Sequence, residues 1–124
     1  MIADTTFLSH LLRERERGPG PATRFLAARR TENFLVTVIS VGELAVLFDT
    51  NQEARLFLQR YRQLRLFPEV AYAAAEIDRE LTARGLRLGE NDNWIAGFCR
   101  YYGQPLVSQD AAFDRVAGLR RWAY

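Results

Sequence analysis

Phe34-Leu35-Val36-Thr37-Val38-Ile39-Ser40-Val41-Gly42-Glu43-Leu44-Ala45-Val46-Leu47-Phe48 is the stretch whose reading decides the fold. Phe34 to Val38 is β-branched and aromatic, the composition of a buried strand. Ser40 to Phe48 reads as a helix. The same alternation continues outward. Residues 1–3 are a short apolar run ending at Asp4, and Thr6 to Leu12 has its apolar residues at helical spacing. Ala22 to Arg30 reads as a second helix, after the turn Gly18-Pro19-Gly20-Pro21. On the other side, Asn51 to Leu64 is an amphipathic helix, and Leu66-Phe67 reads as a short strand. Pro68 starts a helix that runs to about Arg84 and ends at Gly85. Asn91 reads as the N-cap of a helix through Tyr102, stopped by Gly103. Pro105 to Ser108 is a strand, Ala112 to Val116 a short helix, and Arg120 to Ala123 an edge strand. Strands alternating with helices predict an α/β fold with a parallel sheet covered on both faces.

Composition narrows the function. The chain has 124 residues, 48% hydrophobic and 26% charged, which is ordinary globular composition for one domain over 1–124. One cysteine, Cys99, and one histidine, His10, exclude a disulfide scaffold and a Cys/His zinc site. No apolar run is long enough to span a membrane, and the first residues lack the basic segment of a signal peptide. The expectation is a soluble, reduced, cytoplasmic protein. All seventeen basic residues are Arg; without Lys, a P-loop is excluded. Six of the arginines, Arg13, Arg15, Arg17, Arg24, Arg29 and Arg30, fall within positions 13–30. Such a stretch can track a phosphate backbone, or it can be a solvated helix end.

Four acids stand beside apolar stretches. Glu43 is the single charge among the fifteen residues quoted above. An isolated ionised carboxylate is costly to bury, so Glu43 reaches the rim, pairs with an Arg, or meets a cation. Asp4 and Asp110 each follow an apolar run directly, at the carboxyl end of a predicted strand, the edge where open parallel sheets bind ligands. Turn and N-cap chemistry is the competing explanation for both. Asp92 continues the helical stripe of Ile95, Ala96 and Cys99, so it points along the core face; an acid at a helix N-terminus is also favourable by itself. Jointly, the four would repel one another and raise one another's pKa values unless a hard divalent cation neutralised them. Mg2+ and Mn2+ take oxygen ligands, activate water and clamp phosphoryl oxygens. With the four acids withdrawn, seventeen cations face eleven acids, a balance of +6. An acidic hole in a basic surface suits a metal-dependent enzyme acting on nucleic acid.

Four blocks carry a resemblance: Ile2-Ala3-Asp4-Thr5-Thr6-Phe7-Leu8, Val38-Ile39-Ser40-Val41-Gly42-Glu43-Leu44, Gly89-Glu90-Asn91-Asp92-Asn93-Trp94-Ile95-Ala96 and Pro105-Leu106-Val107-Ser108-Gln109-Asp110. In order and spacing they resemble the PIN-domain family, in particular the VapC-type toxins of bacterial toxin–antitoxin modules. The resemblance covers nearly the whole chain. It implies a three-layer α/β/α sandwich around a small parallel sheet, and Mg2+- or Mn2+-dependent endoribonuclease activity leaving a 5′-phosphate. It assigns catalysis and metal binding to Asp4, Glu43, Asp92 and Asp110, with Asp110 at the position that varies most in the family. Thr6 matches a position that would orient a ligand or water, and Ser108 a small hydroxyl residue before the fourth acid. Asp114 lies one turn beyond and is either an assisting acid or a surface charge. The implied partners are the RNA substrate, a cognate antitoxin protein and a second copy of the chain in a homodimer. A processing nuclease without an antitoxin, and a PIN-like binding or scaffolding domain without catalysis, are the rival readings. His10 and Cys99 are expected to be structural. Trp94, Phe98, Tyr101 and Tyr102 sit at a spacing that suits core or subunit interface more than base stacking.

Overall fold

The computed structural model describes residues 1–124. Five strands form one sheet: β1 (Ile2–Ala3), β2 (Leu35–Thr37), β3 (Arg62–Leu64), β4 (Leu106–Val107) and β5 (Arg121–Trp122). All neighbours are parallel and the order is β3-β2-β1-β4-β5. The chain steps outward from β1 to β2 and β3, then returns to the other side of β1 for β4 and β5. The order therefore reverses between β1 and β4, and that reversal opens a crevice at the carboxyl ends of the two strands.

Side-chain alternation along these short strands divides the core in two. Met1, Ala3, Phe34, Val36 and Val107 face one layer. There they meet α1 (Thr5–Arg17), α2 (Pro21–Ala27), α3 (Val38–Ala45) and α4 (Asn51–Leu58) through Phe7, Leu8, Leu11, Ala22, Phe25, Leu44, Phe57 and Leu58. Ile2, Leu64 and Leu106 face the opposite layer, where α5 (Pro68–Ala83) and α6 (Glu90–Tyr102) contribute Val70, Ile77, Leu81, Ile95, Phe98 and Cys99. The result is a three-layer α/β/α sandwich.

Several predicted elements shift. The predicted strand Phe34–Val38 shortens because the Thr37 hydroxyl accepts the Ser40 amide at 3.1 Å, capping α3 and making Val38 helical. The predicted helix Asn51–Leu64 ends at Leu58, and its last residues are β3, paired in register from Leu35↔Arg62 to Thr37↔Leu64. Tyr61 and Leu64 satisfy a helical period and an edge strand equally well, and Arg62 and Gln63 are exposed as edge residues are. Leu66-Phe67, predicted as a strand, is the loop into α5. The cap of α6 is Gly89, two residues before the predicted Asn91. The short helix predicted at Ala112–Val116 is a 3-10 turn over Ala111–Arg115.

One close approach fixes how α6 sits. Gly97 lies on buried α6 against Ala74 of α5, where a Cβ would come within 2.7 Å of the Ala74 Cβ and 3.0 Å of its backbone. Nearby, the Asn93 side-chain amide donates to the Ala74 carbonyl at 2.9 Å. Both contacts seat the first turn of α6, which carries Asp92. Gly97→Ala must push the helices apart. We expect a loss of roughly 1–3 kcal/mol, as for overpacked cores, read as a lower urea midpoint with an unchanged slope.

Candidate active site

Asp4 leaves β1 at the crevice and is buried at 5% exposure. Its backbone amide donates to the Val107 carbonyl at 3.1 Å, tying the end of β1 to β4. Its Oδ1 accepts the Phe7 amide at 2.7 Å, so Asp4 is also the N-cap of α1. The N-cap reading and the ligand-edge reading are therefore both satisfied by one side chain. Burial pushes the Asp4 carboxyl up from its ordinary 3.8 to about 6. Hydrogen bonds from Ser108 and Phe7 pull against that rise, and the charges of Asp92 and Asp110 add to it.

Ser108 is buried at the end of β4, and its Oγ accepts the Asp110 amide at 3.0 Å. It thus touches both Asp4 and the turn that presents Asp110. Asp110 is exposed, and its Oδ1 accepts the Ala112 amide at 2.8 Å, capping the 3-10 turn. Asp92 is half-buried in the first turn of α6, and its carboxyl is raised by burial first, then by Asp110 and Glu43. Glu43 is half-buried on α3, and its Oε1 accepts the Thr5 hydroxyl at 2.7 Å. The Thr5 and Ser40 hydroxyls lie 3.1 Å apart, and Thr5 has spent its one proton on Glu43, so Ser40 donates to Thr5.

Thr5 is the residue that sequence reasoning missed. Thr6 was predicted to orient a ligand or water; it is exposed on α1 and makes no hydrogen bond to the four acids. Thr5, one position earlier, lies between the first two acids. The only signal for it was helical phase: Thr5 and Leu8 share a face with Asp4, and Thr6 turns outward.

The four acids face one edge, and no cation forms an ion pair with any of them. The three ion pairs of the protein are Arg87–Asp78, Arg100–Glu80 and Arg121–Asp114, and none uses Asp4, Glu43, Asp92 or Asp110. Arg pairing is thereby ruled out for Glu43. Asp114 is engaged by Arg121 at 2.8 Å and is a surface charge. The carboxylates sense one another, yet no three His, Cys, Asp or Glu side chains close to ligating distance. The donor set is nevertheless all oxygen and uncompensated, with two carboxyls raised by burial and mutual repulsion. That set fits a hard divalent cation and no softer one. His10 makes no hydrogen bond to the four acids; its Nδ1 lies 2.8 Å from the Tyr124 hydroxyl, and Cys99 is buried with its thiol pushed up to about 12, chiefly by that burial.

The PIN domain family model matches residues 1–119, and the chain belongs to the PIN-domain family, a family of nucleases. No curated protein matches it in sequence. Among solved structures it is similar to VapBC2 from Rickettsia felis, bound to a DNA fragment from its promoter (18% identity, 99% of this chain and 97% of that one, TM-score 0.80). It is similar to FitAcB from Neisseria gonorrhoeae (22% identity, 98% and 95%, TM-score 0.79). It is similar also to VapBC-1 from nontypeable Haemophilus influenzae (19% identity, 98% and 96%, TM-score 0.80).

The buried Asp4 makes a measurable prediction. Well below pH 3.8 the carboxyl is protonated in both folded and unfolded chains. Between its unfolded value of 3.8 and its folded value of about 6 the unfolded chain releases the proton first, so stability falls as pH rises through that window. Fully ionised, the group costs the fold roughly 3 kcal/mol. Asn caps a helix as well as Asp does. Asp4→Asn in EDTA should therefore melt roughly 10–15 °C above the parent at pH 7.5, with the gap narrowing steeply toward pH 4. A parent more stable than the variant at pH 7.5 without metal would mean that a charge partner compensates Asp4.

Proposed function

We infer that the chain is a metal-dependent endoribonuclease, hydrolysing RNA phosphodiester bonds as the toxin of a bacterial toxin–antitoxin module, with 1–124 as its catalytic unit. The observation that carries this reading is the uncompensated carboxylate edge at the sheet's switch point, in a chain with an excess of arginine. Asp4, Glu43, Asp92 and Asp110 would hold Mg2+ or Mn2+. A divalent cation supplies an activated water nucleophile and neutralises charge on the phosphate. The chain's own groups do the positioning. Asp4 is locked by the Phe7 amide and Ser108, Glu43 by Thr5, and Asp110 by its turn. The rest of the edge stays acidic and therefore repels bound polyanion until a cation is present.

The solved neighbours are toxin–antitoxin complexes, which supports a protein antitoxin as partner. Exposed apolar residues supply surface for that partner and for a homodimer: Val46, Leu47 and Leu56 on and after α3 and on α4, and Tyr72 and Tyr101 on α5 and α6. Phe67, Tyr101 and Tyr102 form an edge-to-face group beside the second patch, which suits an interface more than base stacking. No helix is long and apolar enough to cross a membrane, in keeping with action in the cytoplasm. A scaffolding domain without catalysis would have no reason to carry the charge cost of Asp4, which disfavours that reading.

The test is cleavage of a mixed RNA pool by purified protein with Mn2+, Mg2+ or EDTA. We expect metal-dependent cleavage that falls at least 100-fold in Asp4→Asn, the scale of losing electrostatic stabilisation at one site. A folded protein that neither binds Mn2+ by calorimetry nor cleaves would establish the scaffold reading instead. Thr5→Val should lower cleavage about 10-fold, by releasing Glu43 at the cost of one charge-assisted hydrogen bond, whereas Thr6→Val should leave it within twofold. Equal effects of the two would remove Thr5 from the site.

A further inference from the structure

We propose that Arg13 and Arg17 form a subsite that holds the phosphodiester backbone of the substrate strand in a polar hollow beside the carboxylate edge; this rests on the nuclease reading. An acidic edge attracts metal but repels RNA, so the strand needs a cationic hold close by. The sequence offers six arginines between positions 13 and 30, and the structure separates them. The Arg15 guanidinium lies 5.6 Å from the centre of the Phe57 ring. Arg29 lies 3.8 Å from the centre of the Phe25 ring and 5.5 Å from that of Trp122. Both are spent on packing. Arg121, which senses the charge of Asp110, is committed to Asp114 and the Ser108 carbonyl.

Arg13 and Arg17 have no carboxylate partner. Each is exposed, and the sole side-chain hydrogen bond of Arg13 goes to Ser9 at 3.5 Å. They stand one turn apart on α1, roughly 6 Å along its axis and on one face. They line a hollow of about 350 Å³ with His10, Glu14, Pro21 and Gln109. Gln109 joins Ser108 to Asp110, so the hollow opens next to the acids. Glu14 does not serve as the arginines' partner, because its carboxylate accepts the amides of Gly20, Ala22 and Thr23 at 3.0, 3.1 and 2.7 Å. Two guanidiniums without a carboxylate partner, over a hollow lined mainly by charged and polar residues, suit a hydrated phosphate strand. The two unpaired cations favour a polyanion over a peptide of mixed charge.

The test measures binding of a labelled single-stranded RNA to protein carrying Asp4→Asn, so that the ligand survives, between 50 and about 200 mM salt. Arg13→Ala/Arg17→Ala is compared with Arg60→Ala/Arg62→Ala, an equal charge change at the opposite, amino edge of the sheet. The first pair should weaken binding at least 10-fold and reduce the salt slope by about 1.4, two phosphates at about 0.7 each for a single strand; the control should change less than threefold. In the parent background the first pair should raise KM with kcat within twofold. Arg13→Gln/Arg17→Gln, which keeps much of each stem, should reproduce both effects, and Arg13→Lys/Arg17→Lys should recover part of the binding. If the parent cleaves RNA but both double variants weaken binding equally, the subsite is overturned and the nuclease stands. If the first pair keeps RNA binding but loses a copurifying protein, the hollow belongs to that partner and the proposal falls. A parent that neither binds nor cleaves RNA removes the nuclease reading and the subsite with it.

Discussion

A carboxylate buried without a cation, at the point where the sheet changes direction, is the constraint on which the rest of this structure depends. Asp4 sits there because β1 ends there, and β1 ends there because Asp4 begins α1. The same side chain satisfies a helix terminus and charges the crevice. Its neighbours relieve it with hydrogen bonds but not with opposite charge: Phe7 and Ser108 donate to it, while Asp92 and Asp110 press on it from across the crevice. The fold holds this arrangement through packing elsewhere. Two separate apolar layers grip the sheet, and the tight seat of Gly97 against Ala74 fixes the helix that carries Asp92.

The division of labour among polar groups follows from that constraint. Near the acids, hydroxyls replace cations: Thr5, Ser40 and Ser108 orient carboxylates without neutralising them. Away from the acids, arginines pair with Asp78, Glu80 and Asp114, and backbone amides satisfy Glu14. These ion pairs are exposed and worth little to stability. None of them reaches the carboxylate edge.

Much of this was legible in the sequence, for a physical reason. Asp4 and Glu43 are conspicuous because apolar neighbours give an acid no ordinary reason to be there, and a parallel sheet brings strand ends to one edge whatever its details. The parts that were not legible are those where two structures obey one pattern. Tyr61 and Leu64 continue the period of α4 and also fit β3, so the helix reads too long. Gly89 caps α6 with no side-chain signal, while Asn91 nearby has the better cap chemistry. Thr5 and Thr6 are the same residue type side by side, and which one meets Glu43 depends on the rotation of α1, set by Phe7, Leu8 and Leu11 in the core. The loss of free arginines to rings at Phe25 and Phe57 is a tertiary outcome with no local trace.

The pairing of β1 with β4 has a further consequence, for the order in which the protein comes to life. The strands that carry Asp4 and Asp110 lie at opposite ends of the chain and meet directly at the centre of the sheet. Contacts so distant in sequence are slow to form, because the intervening loop must be closed first. Until β4 docks, Asp4 lacks Ser108, and the edge lacks its fourth acid. A ribosome that has made α1 to α6 but not β4 has therefore not yet assembled the carboxylate edge. The crevice with its four acids is the part of the molecule that is completed last.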